Sequence, residues 1–437
     1  MNFTKDQERA LAMIDGLREW SGHPKIGVLA GYAGTGKSTL IGEVPNVLDG
    51  CPVIVCPTGK AALRVREATG LKAQTIHSWM YSPKEDFNTG EVTYTRKEIE
   101  LIDPGEIGLL VIDEASMVGQ DLWDDIYDTC LLMKMNVLIV GDPGQLPPVT
   151  KEDDDETFFS LLSAEFRSDQ KVMMTEVVRQ AQDNPIIRAS MLVRDGQLFD
   201  AINQLPRISP KEILTYAKEL RDNGAIICHR NNTRLRLNLM AREAFGLPPD
   251  RIVPGEPLLV LQNMPRLYRF NGEIVKFENW IEEPRGQHVV NDWFKKQKPS
   301  TAFGWAQLEH VQGDPYAQCL LGVEQVFGRF SHVSLKPLAK AARVVMGVNR
   351  EIPDNADELP EKEVNEIVGP PYLHCNFGYV LTCHKAQGSE FDRCLVLLEP
   401  SIRFNTDFGK RWLYTSLTRA RTTTTVCLGV PKALTTL

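Results

Sequence analysis

The stretch GYAGTGKSTL, residues 31–40, restricts this chain more than any other part of it. From Gly31 to Ser38 it reads G-x-x-x-x-G-K-S, a pattern that belongs where a strand enters a helix through a glycine-rich turn. Both flanks comply: KIGVLA before it is a buried-strand run, and STLIGEV after it can open a helix. Glycines let the backbone N–H groups turn inward and close on phosphate oxygens. Gly34, Thr35, Gly36 and Thr39 belong to this cradle. Lys37 reaches toward the β- and γ-phosphates, and the Ser38 hydroxyl is placed to hold Mg²⁺. The expected ligand is a nucleoside triphosphate.

Short apolar runs then recur at VIVCPT (53–58), GLLVIDE (108–114), NVLIVGD (136–142) and KVMMTEV (171–177). Helical segments separate several of them, which predicts a parallel sheet covered on both faces. A second series begins at GAIICHR (224–230) and resumes at GYVLTCHKAQG, RCLVLLEP and TTTTVCLGV (378–430). The fold class read here is α/β. The interrupting stretch, about 250–370, is rich in proline, glycine and turn signals and reads as a small β-barrel. Within it, RLYRF-NG-EIVKF (266–277) reads as a hairpin about a type I′ Asn-Gly turn. A shorter insertion, 81–106, reads as a β-hairpin near Asn88-Thr89-Gly90.

The strand run ending at 114 leaves two adjacent carboxylates. Asp113 can support Mg²⁺ through its water shell, and Glu114 can polarise an attacking water, which suits hydrolysis. In GDPGQLPPV (141–149), Gln145 could sense the terminal phosphate, or the segment could be a proline-terminated turn. Arg179 in TEVVRQ and Arg419 in LYTSLTRART are candidates to stabilise charge developing on that phosphate. Gln7 has two readings. Thr4-Lys5-Asp6-Gln7 fits a capping box, and a glutamine amide can also pair with adenine.

Six strings occur in order: CPTGKAALRVREATG (56–70), TIHSWM (75–80), VIDEASM, GDPGQLPPV, LTCHKAQGSEFD (381–392) and YTSLTRAR (414–421). With the phosphate loop they resemble the motif set of the superfamily-I helicases, in the RecD/Dda-like 1B branch. The resemblance spans about 1–180 and 378–430. Compact length and short insertions resemble the Dda-like members most.

That resemblance implies two RecA-like P-loop domains with ATP and Mg²⁺ between them and single-stranded DNA across their top. The first domain would take 1–80 and 107–180, and the second 181–249 and 371–437. Residues 81–106 would be a duplex-splitting pin, and 250–370 an SH3-like barrel. Lys37, Ser38, Asp113, Glu114, Gln145, Arg179 and Arg419 match the family's ATPase positions, and Gln7 its adenine reader. Gly388 and Glu390 match a motif that approaches the nucleotide from the second domain. Pro57, Thr58, His77, Thr382, His384 and Lys385 match strand-contacting positions. Tyr94 is the candidate aromatic wedge, with Phe87 its rival.

The expected activity is ATP-dependent 5′→3′ translocation on single-stranded DNA with duplex unwinding, the polarity being carried by the resemblance. The alternatives are a translocase on single-stranded DNA or RNA without robust unwinding, and a nucleotide-gated clamp. Single-stranded DNA and its junctions with duplex are the expected partners of a monomer. A single-stranded-DNA-binding protein or replication proteins are possible further ones, in replication or recombination.

A net charge of −8 over 437 residues argues only mildly against a nucleic-acid partner. Charges further apart than about 8 Å are largely screened, so a local basic groove can act on an acidic protein. Nine cysteines without a C-x-x-C pair point to reduced thiols and no zinc. The opening MNFTKDQERA has no apolar stretch, and no run is long enough to span a bilayer. A cytoplasmic setting is expected, the host's if the chain is phage-encoded.

Overall fold

The computed structural model describes residues 3–86, 91–97, 106–147, 170–178, 183–264, 267, 269–289, 300–309, 318–329, 335–347 and 370–429. The chain divides into two units. One comprises Met1–Tyr81, Arg96–Ile208 and Ala386–Gly429, the other Ser82–Thr95, Ser209–Lys385 and Val430–Leu437.

In the first unit the apolar runs become strands β1 (Ile26–Gly31), β2 (Cys51–Cys56) and β3 (Ala73–Thr75). After the pair β4 (Tyr81–Asp86) and β5 (Glu91–Arg96) come β6 (Glu106–Ile112), β7 (Asn136–Gly141) and β8 (Lys171–Met174). Six of them form one sheet in the order β3-β2-β6-β7-β1-β8. Its pairings are parallel, as the alternation with helices predicts. Successive side chains on a strand face opposite ways. Leu29, Leu109, Val111, Leu138 and Val140 therefore pack with Ile14, Leu40, Ile41 and Val65 from α1 (Lys5–Asp15), α2 (Lys37–Leu48) and α3 (Gly59–Thr69). Val28, Ala30, Leu110, Ile112, Val137 and Ile139 meet α4 (Ile76–Met80) and α5 (Gln120–Met133) on the other face, through Ile76, Trp123 and Ile126. Burying each of the larger aliphatic side chains contributes about 1.5–3 kcal/mol.

The same unit holds β9 (Arg207–Ile208) and, from the end of the chain, β17 (Phe391–Leu398) and β18 (Ala420–Leu428), all paired in parallel. The helix Asp407–Leu417 joins β17 to β18 and packs on the helix Pro185–Arg194. Strands β4 and β5, which fall almost wholly in the other unit, form a two-stranded sheet of their own. Its tip, including Phe87 and the expected turn at Asn88-Thr89-Gly90, lies outside the described residues.

In the second unit β10 (Gly224–Cys228) pairs in parallel with β16 (Val380–Thr382). The interrupting stretch supplies β11 (Pro257–Val260), β12 (Ile274–Val289), β13 (Ser300–Leu308) and β14 (Gln318–Gly322), and β15 (Cys375–Phe377) completes the sheet. The order is β14-β13-β12-β11-β15, antiparallel throughout, with register shifts along β12 and β13. The helix Leu335–Met346 lays Leu338, Ala339, Ala342 and Met346 over Phe303, Leu320 and Tyr372.

One sequence expectation fails here. The strand after Asn271-Gly272 pairs with β11, and the described residues 267, 269 and 270 form no ladder with it. Gly272 has φ +88°, but Asn271 is not among the residues with positive φ, and a type I′ turn needs both. The N–H of Gly272 instead donates to Val260 O at 2.9 Å, so the turn is tied to β11.

A buried ion pair anchors this unit. Arg242 donates to both carboxylate oxygens of Glu256, at 2.6 and 2.9 Å, and to the carbonyls of Pro248 and Arg251. Phe377 and Phe327 sit against its guanidinium, 4.2 and 4.7 Å from the ring centroids. None of the nine cysteines is in a disulfide; Cys51 is exposed and the other eight are buried. No helix among the described residues is long and apolar enough to cross a membrane.

Candidate active site

Because the first sheet is parallel, the carboxyl ends of its strands share one edge, where ligands of open α/β sheets bind. Strand β1 delivers the phosphate loop there, β2 delivers Pro57 and Thr58, β6 delivers Asp113 and Glu114, and β7 delivers Asp142 to Gln145.

The loop needs its glycines. Gly34 and Gly36 lie at φ +78° and +88°, a region costly for other residues. A Cβ on Gly36 would come within 2.5 Å of the Gln7 side-chain nitrogen. Lys37 folds over the loop, and its Nζ donates to Gly31 O at 2.7 Å and Tyr32 O at 3.0 Å. Ser38 is half-buried in the first turn of α2, Thr39 is exposed, and the buried Thr35 donates its hydroxyl to Tyr32 O. Gln7 takes the capping-box geometry foreseen for it and adds a bond to the phosphate loop. Its Oε1 accepts from Thr4 N in a complete capping box, and its Nε2 donates to Thr35 O at 3.3 Å.

Asp113 and Glu114 are buried at the end of β6. Glu114 adopts φ +55°, a left-handed conformation that costs a non-glycine residue about 1–2 kcal/mol. Such strain concentrates at functional sites. Burial, and then the charge of Glu114, raise the Asp113 pKa against the pull of Arg64 and Lys37. Burial works on Glu114 in the same direction, but Arg64, Arg419 and Lys37 outweigh it and hold this carboxyl below its ordinary value. Glu114 thus stays a carboxylate with three cations around it.

Asp113 Oδ2 is buried without a hydrogen-bond partner. Asp113 Oδ2 and the Ser38 hydroxyl are both hard oxygen donors of the kind Mg²⁺ prefers. Gln145 is buried too, and its Oε1 has no hydrogen-bond partner. Its backbone is held, since Gln145 O accepts from Arg411 and Leu146 N donates to Thr415.

Arg419 is buried and donates to Thr415 O at 3.0 Å, Ser389 O at 3.3 Å and the Thr418 hydroxyl. Gly388 has φ +69°, and a Cβ there would lie 2.7 Å from the Thr58 hydroxyl. Glu390 accepts from Arg64 at 3.3 Å and from Arg421 at 3.1 Å. Residues more than three hundred positions apart therefore meet inside one unit. Arg179 lies outside the described residues.

Of the expected strand-contacting positions, Pro57 is half-buried and Thr58 caps α3 by accepting from Ala61 N. His77 lies in α4 with its ring 5.6 Å from that of Tyr81, and burial lowers its pKa. Tyr94 on β5 is 37% exposed, the surface a wedge requires. In the second unit Thr382 ends β16, and His384 and Lys385 follow in a short helix. Burial, with His229 nearby, lowers the His384 pKa. Burial and then Arg234 bring Lys385 down to about 8.

Three residues at these sites escaped the sequence reading. Arg64 donates to Glu114 at 2.5 Å. Tyr414 donates to Asp142 and accepts from Ala33 N, both at 2.8 Å. Arg234 is buried, its guanidinium bonded to Asn376 and Asn231. The i, i+4 spacing of Lys60 and Arg64 behind the Thr58 cap was the available signal for the first.

The AAA domain family matches residues 5–209, and the UvrD-like helicase C-terminal domain family matches 377–427. The ATP-dependent RecD2 DNA helicase of Deinococcus radiodurans is 29% identical over 415 residues, covering 93% of this chain and 47% of that protein. The ATP-dependent DNA helicase RRM3 of Saccharomyces cerevisiae is 23% identical over 474 residues, covering 91% and 61%. The chain thus spans only part of the length of these curated relatives. A solved Pif1 helicase from Bacteroides, in complex with ADP-AlF3 and single-stranded DNA, is 17% identical with TM-score 0.49, covering 100% of this chain and 95% of that one. In sequence the chain is thus similar to proteins named as ATP-dependent DNA helicases.

Proposed function

We propose that this chain is an ATP-dependent DNA helicase that moves 5′→3′ along single-stranded DNA and opens duplex ahead of it. The carrying observation is electrostatic: Glu114, strained and buried, is held charged by Arg64, Arg419 and Lys37, which come from three distant segments. A buried carboxylate ringed by cations, beside a phosphate loop, suits hydrolysis of a phosphoanhydride. The named relatives RecD2, PIF1 and RRM3, which are ATP-dependent DNA helicases, support the same reading.

In this reading Lys37 and the loop amides hold the β- and γ-phosphates, and Gln7 reads adenine. Ser38 and Asp113 hold Mg²⁺, which screens phosphate charge when bound. Glu114 orients the attacking water, Gln145 senses the terminal phosphate, and Arg179 and Arg419 meet the charge that develops on it. Gly388 and Glu390 approach the nucleotide from the later segment.

Pro57, Thr58, His77, Thr382, His384 and Lys385 contact the strand. Stacking on aromatic or imidazole faces is worth about 1–3 kcal/mol per base and ignores sequence, as translocation requires. Residues 81–106 serve as the pin, with Tyr94 as its wedge, and 250–370 as an SH3-like guide. We assign 1–80 with 107–180, and 181–249 with 371–437, to the two RecA-like lobes. The short insertions favour a compact, Dda-like 1B helicase that acts as a monomer in the cytoplasm at single-strand/duplex junctions.

Unwinding of 5′-tailed and 3′-tailed DNA and RNA duplexes with ATP and Mg²⁺ tests this. ATP-dependent opening of 5′-tailed DNA alone is expected. Stimulated hydrolysis without strand separation leaves a translocase, and nucleotide-dependent binding without turnover leaves a clamp.

A further inference from the structure

Arg64 sits on the second turn of α3, one helical turn after Lys60 and on the same face. Three carboxylates lie within reach of its single guanidinium. Nη2 is 2.5 Å from Glu114 Oε1 and 3.6 Å from Asp113 Oδ2, and Nη1 is 3.3 Å from Glu390 Oε1. The same helix is tied to the later segment twice more. Lys60 Nζ donates to the Ser389 hydroxyl at 3.0 Å, and the capping residue Thr58 lies where a Cβ on Gly388 would strike it.

We propose that Arg64 is a gate on the carboxylate pair: resting on Glu114 and Asp113 it withholds them from the metal–nucleotide, and transfer to Glu390 releases them. Asp113 Oδ2 is the oxygen that faces Arg64 and the oxygen without a hydrogen bond, so a cation bound there meets the guanidinium as a competitor. Glu390 makes the exchange feasible. It offers the departing guanidinium a carboxylate already in reach, so Arg64 does not have to lose its counter-charge.

The helix also gives the gate an input. Thr58, at the amino end of α3, is one of the proposed strand contacts, so a strand that shifts this end displaces Arg64 as well. DNA stimulation of hydrolysis would then pass through α3. The inference rests on the proposed hydrolytic role of Asp113 and Glu114 and adds its regulation.

The test is equilibrium binding of fluorescent ADP at graded Mg²⁺, with hydrolysis measured separately with and without single-stranded DNA. Arg64→Gln should lower the Mg²⁺ needed for half-maximal binding by roughly fivefold, at the low end of ordinary site-to-site coupling. It should also raise DNA-free hydrolysis, so that the stimulation ratio falls. Glu390→Gln, which removes the alternative partner, should raise the Mg²⁺ requirement. Arg64→Lys, a point charge that cannot span Glu114 and Glu390 together, should shift as Arg64→Gln does but less. Arg66→Gln, on the same helix but bonded to Ala73 O, should leave the requirement unchanged.

An unchanged Mg²⁺ requirement in Arg64→Gln overturns the gate, as do shifts of the same sign in Arg64→Gln and Glu390→Gln. Failure of the helicase reading is separable. Wild-type chain that binds Mg²⁺–nucleotide but opens no duplex loses that reading, while the Mg²⁺ titrations still decide the gate.

Discussion

The hydroxyl of Tyr414 donates to the carboxylate of Asp142 at 2.8 Å, and both residues are buried. The same oxygen accepts from Ala33 N in the phosphate loop, so one phenol joins the loop, the end of β7 and the helix Asp407–Leu417. Tyr414→Phe removes both bonds and leaves a buried carboxylate oxygen and amide without this partner. Leaving one such group unsatisfied costs about 1–3 kcal/mol. Urea unfolding should register that loss, and KM for ATP should rise more than kcat falls. Unaltered stability and KM would rule out the bridge.

Among the described residues Arg419 has no carboxylate as a hydrogen-bond partner, yet its charge acts on Glu114. Arg419→Ala should keep nucleotide affinity and lose turnover. An arginine that meets transition-state charge is worth roughly 10³–10⁵ in rate. Fluorescent-nucleotide titration beside steady-state hydrolysis separates the two effects. A rate equal to wild type would remove the residue from the chemistry.

Lys385 gives a pH signature. Burial, then Arg234, hold its folded pKa at about 8 against an ordinary 10.5. Below 8 both folded and unfolded chains carry the proton. Between about 8 and 10.5 the unfolded chain binds more protons, so this lysine's contribution to stability grows as pH rises through that window. Attraction for phosphate moves the opposite way, because the folded lysine is neutral there. Affinity for single-stranded DNA should weaken from pH 7 to pH 9.5 in wild type and stay flatter in Lys385→Arg. Parallel pH profiles for the two proteins would exclude the lysine as the titrating contact.

Tyr94→Ala should impair unwinding while sparing DNA-stimulated hydrolysis, because an exposed wedge is needed only where strands part. One base-pair step takes about 1.4 kcal/mol to separate. Gel-based unwinding and hydrolysis on the same forked substrate provide the comparison. Equal losses in both would assign Tyr94 to packing.

Glu256→Gln tests the buried pair of the second unit. It leaves the Arg242 guanidinium uncompensated between Phe377 and Phe327. Removing one partner of such a pair costs about 3–5 kcal/mol. Urea denaturation should show that loss, whereas a change below 1 kcal/mol would mean that water or the carbonyls of Pro248 and Arg251 replace the carboxylate.

The phosphate loop was legible because its chemistry restricts consecutive residues. Positive φ at Gly34 and Gly36 demands glycine, and the strand before it must be apolar on both faces. Apart from β3, the remaining strands of the first sheet were legible for the latter reason. Arg64 was not, since within KAALRVRE it looks like one of several solvated cations, and its acidic partners lie 50 and 326 positions away. Tyr414 was hidden in a string noted only for its arginine. The Asn271-Gly272 turn misled because a dipeptide constrains local geometry without choosing the partner strand. Strand β3, three residues long, is too short for alternation to register.

The distribution of thiols has a practical consequence. Burial pushes the thiol pKa of Cys130 and Cys394 up to about 12, while Cys51 stands exposed at the start of β2. A maleimide dye added to the folded chain will therefore attach at position 51. Without any cysteine having to be engineered away, the native protein accepts a single fluorophore on the strand that leads into Pro57 and Thr58, at the foot of the helix carrying Arg64.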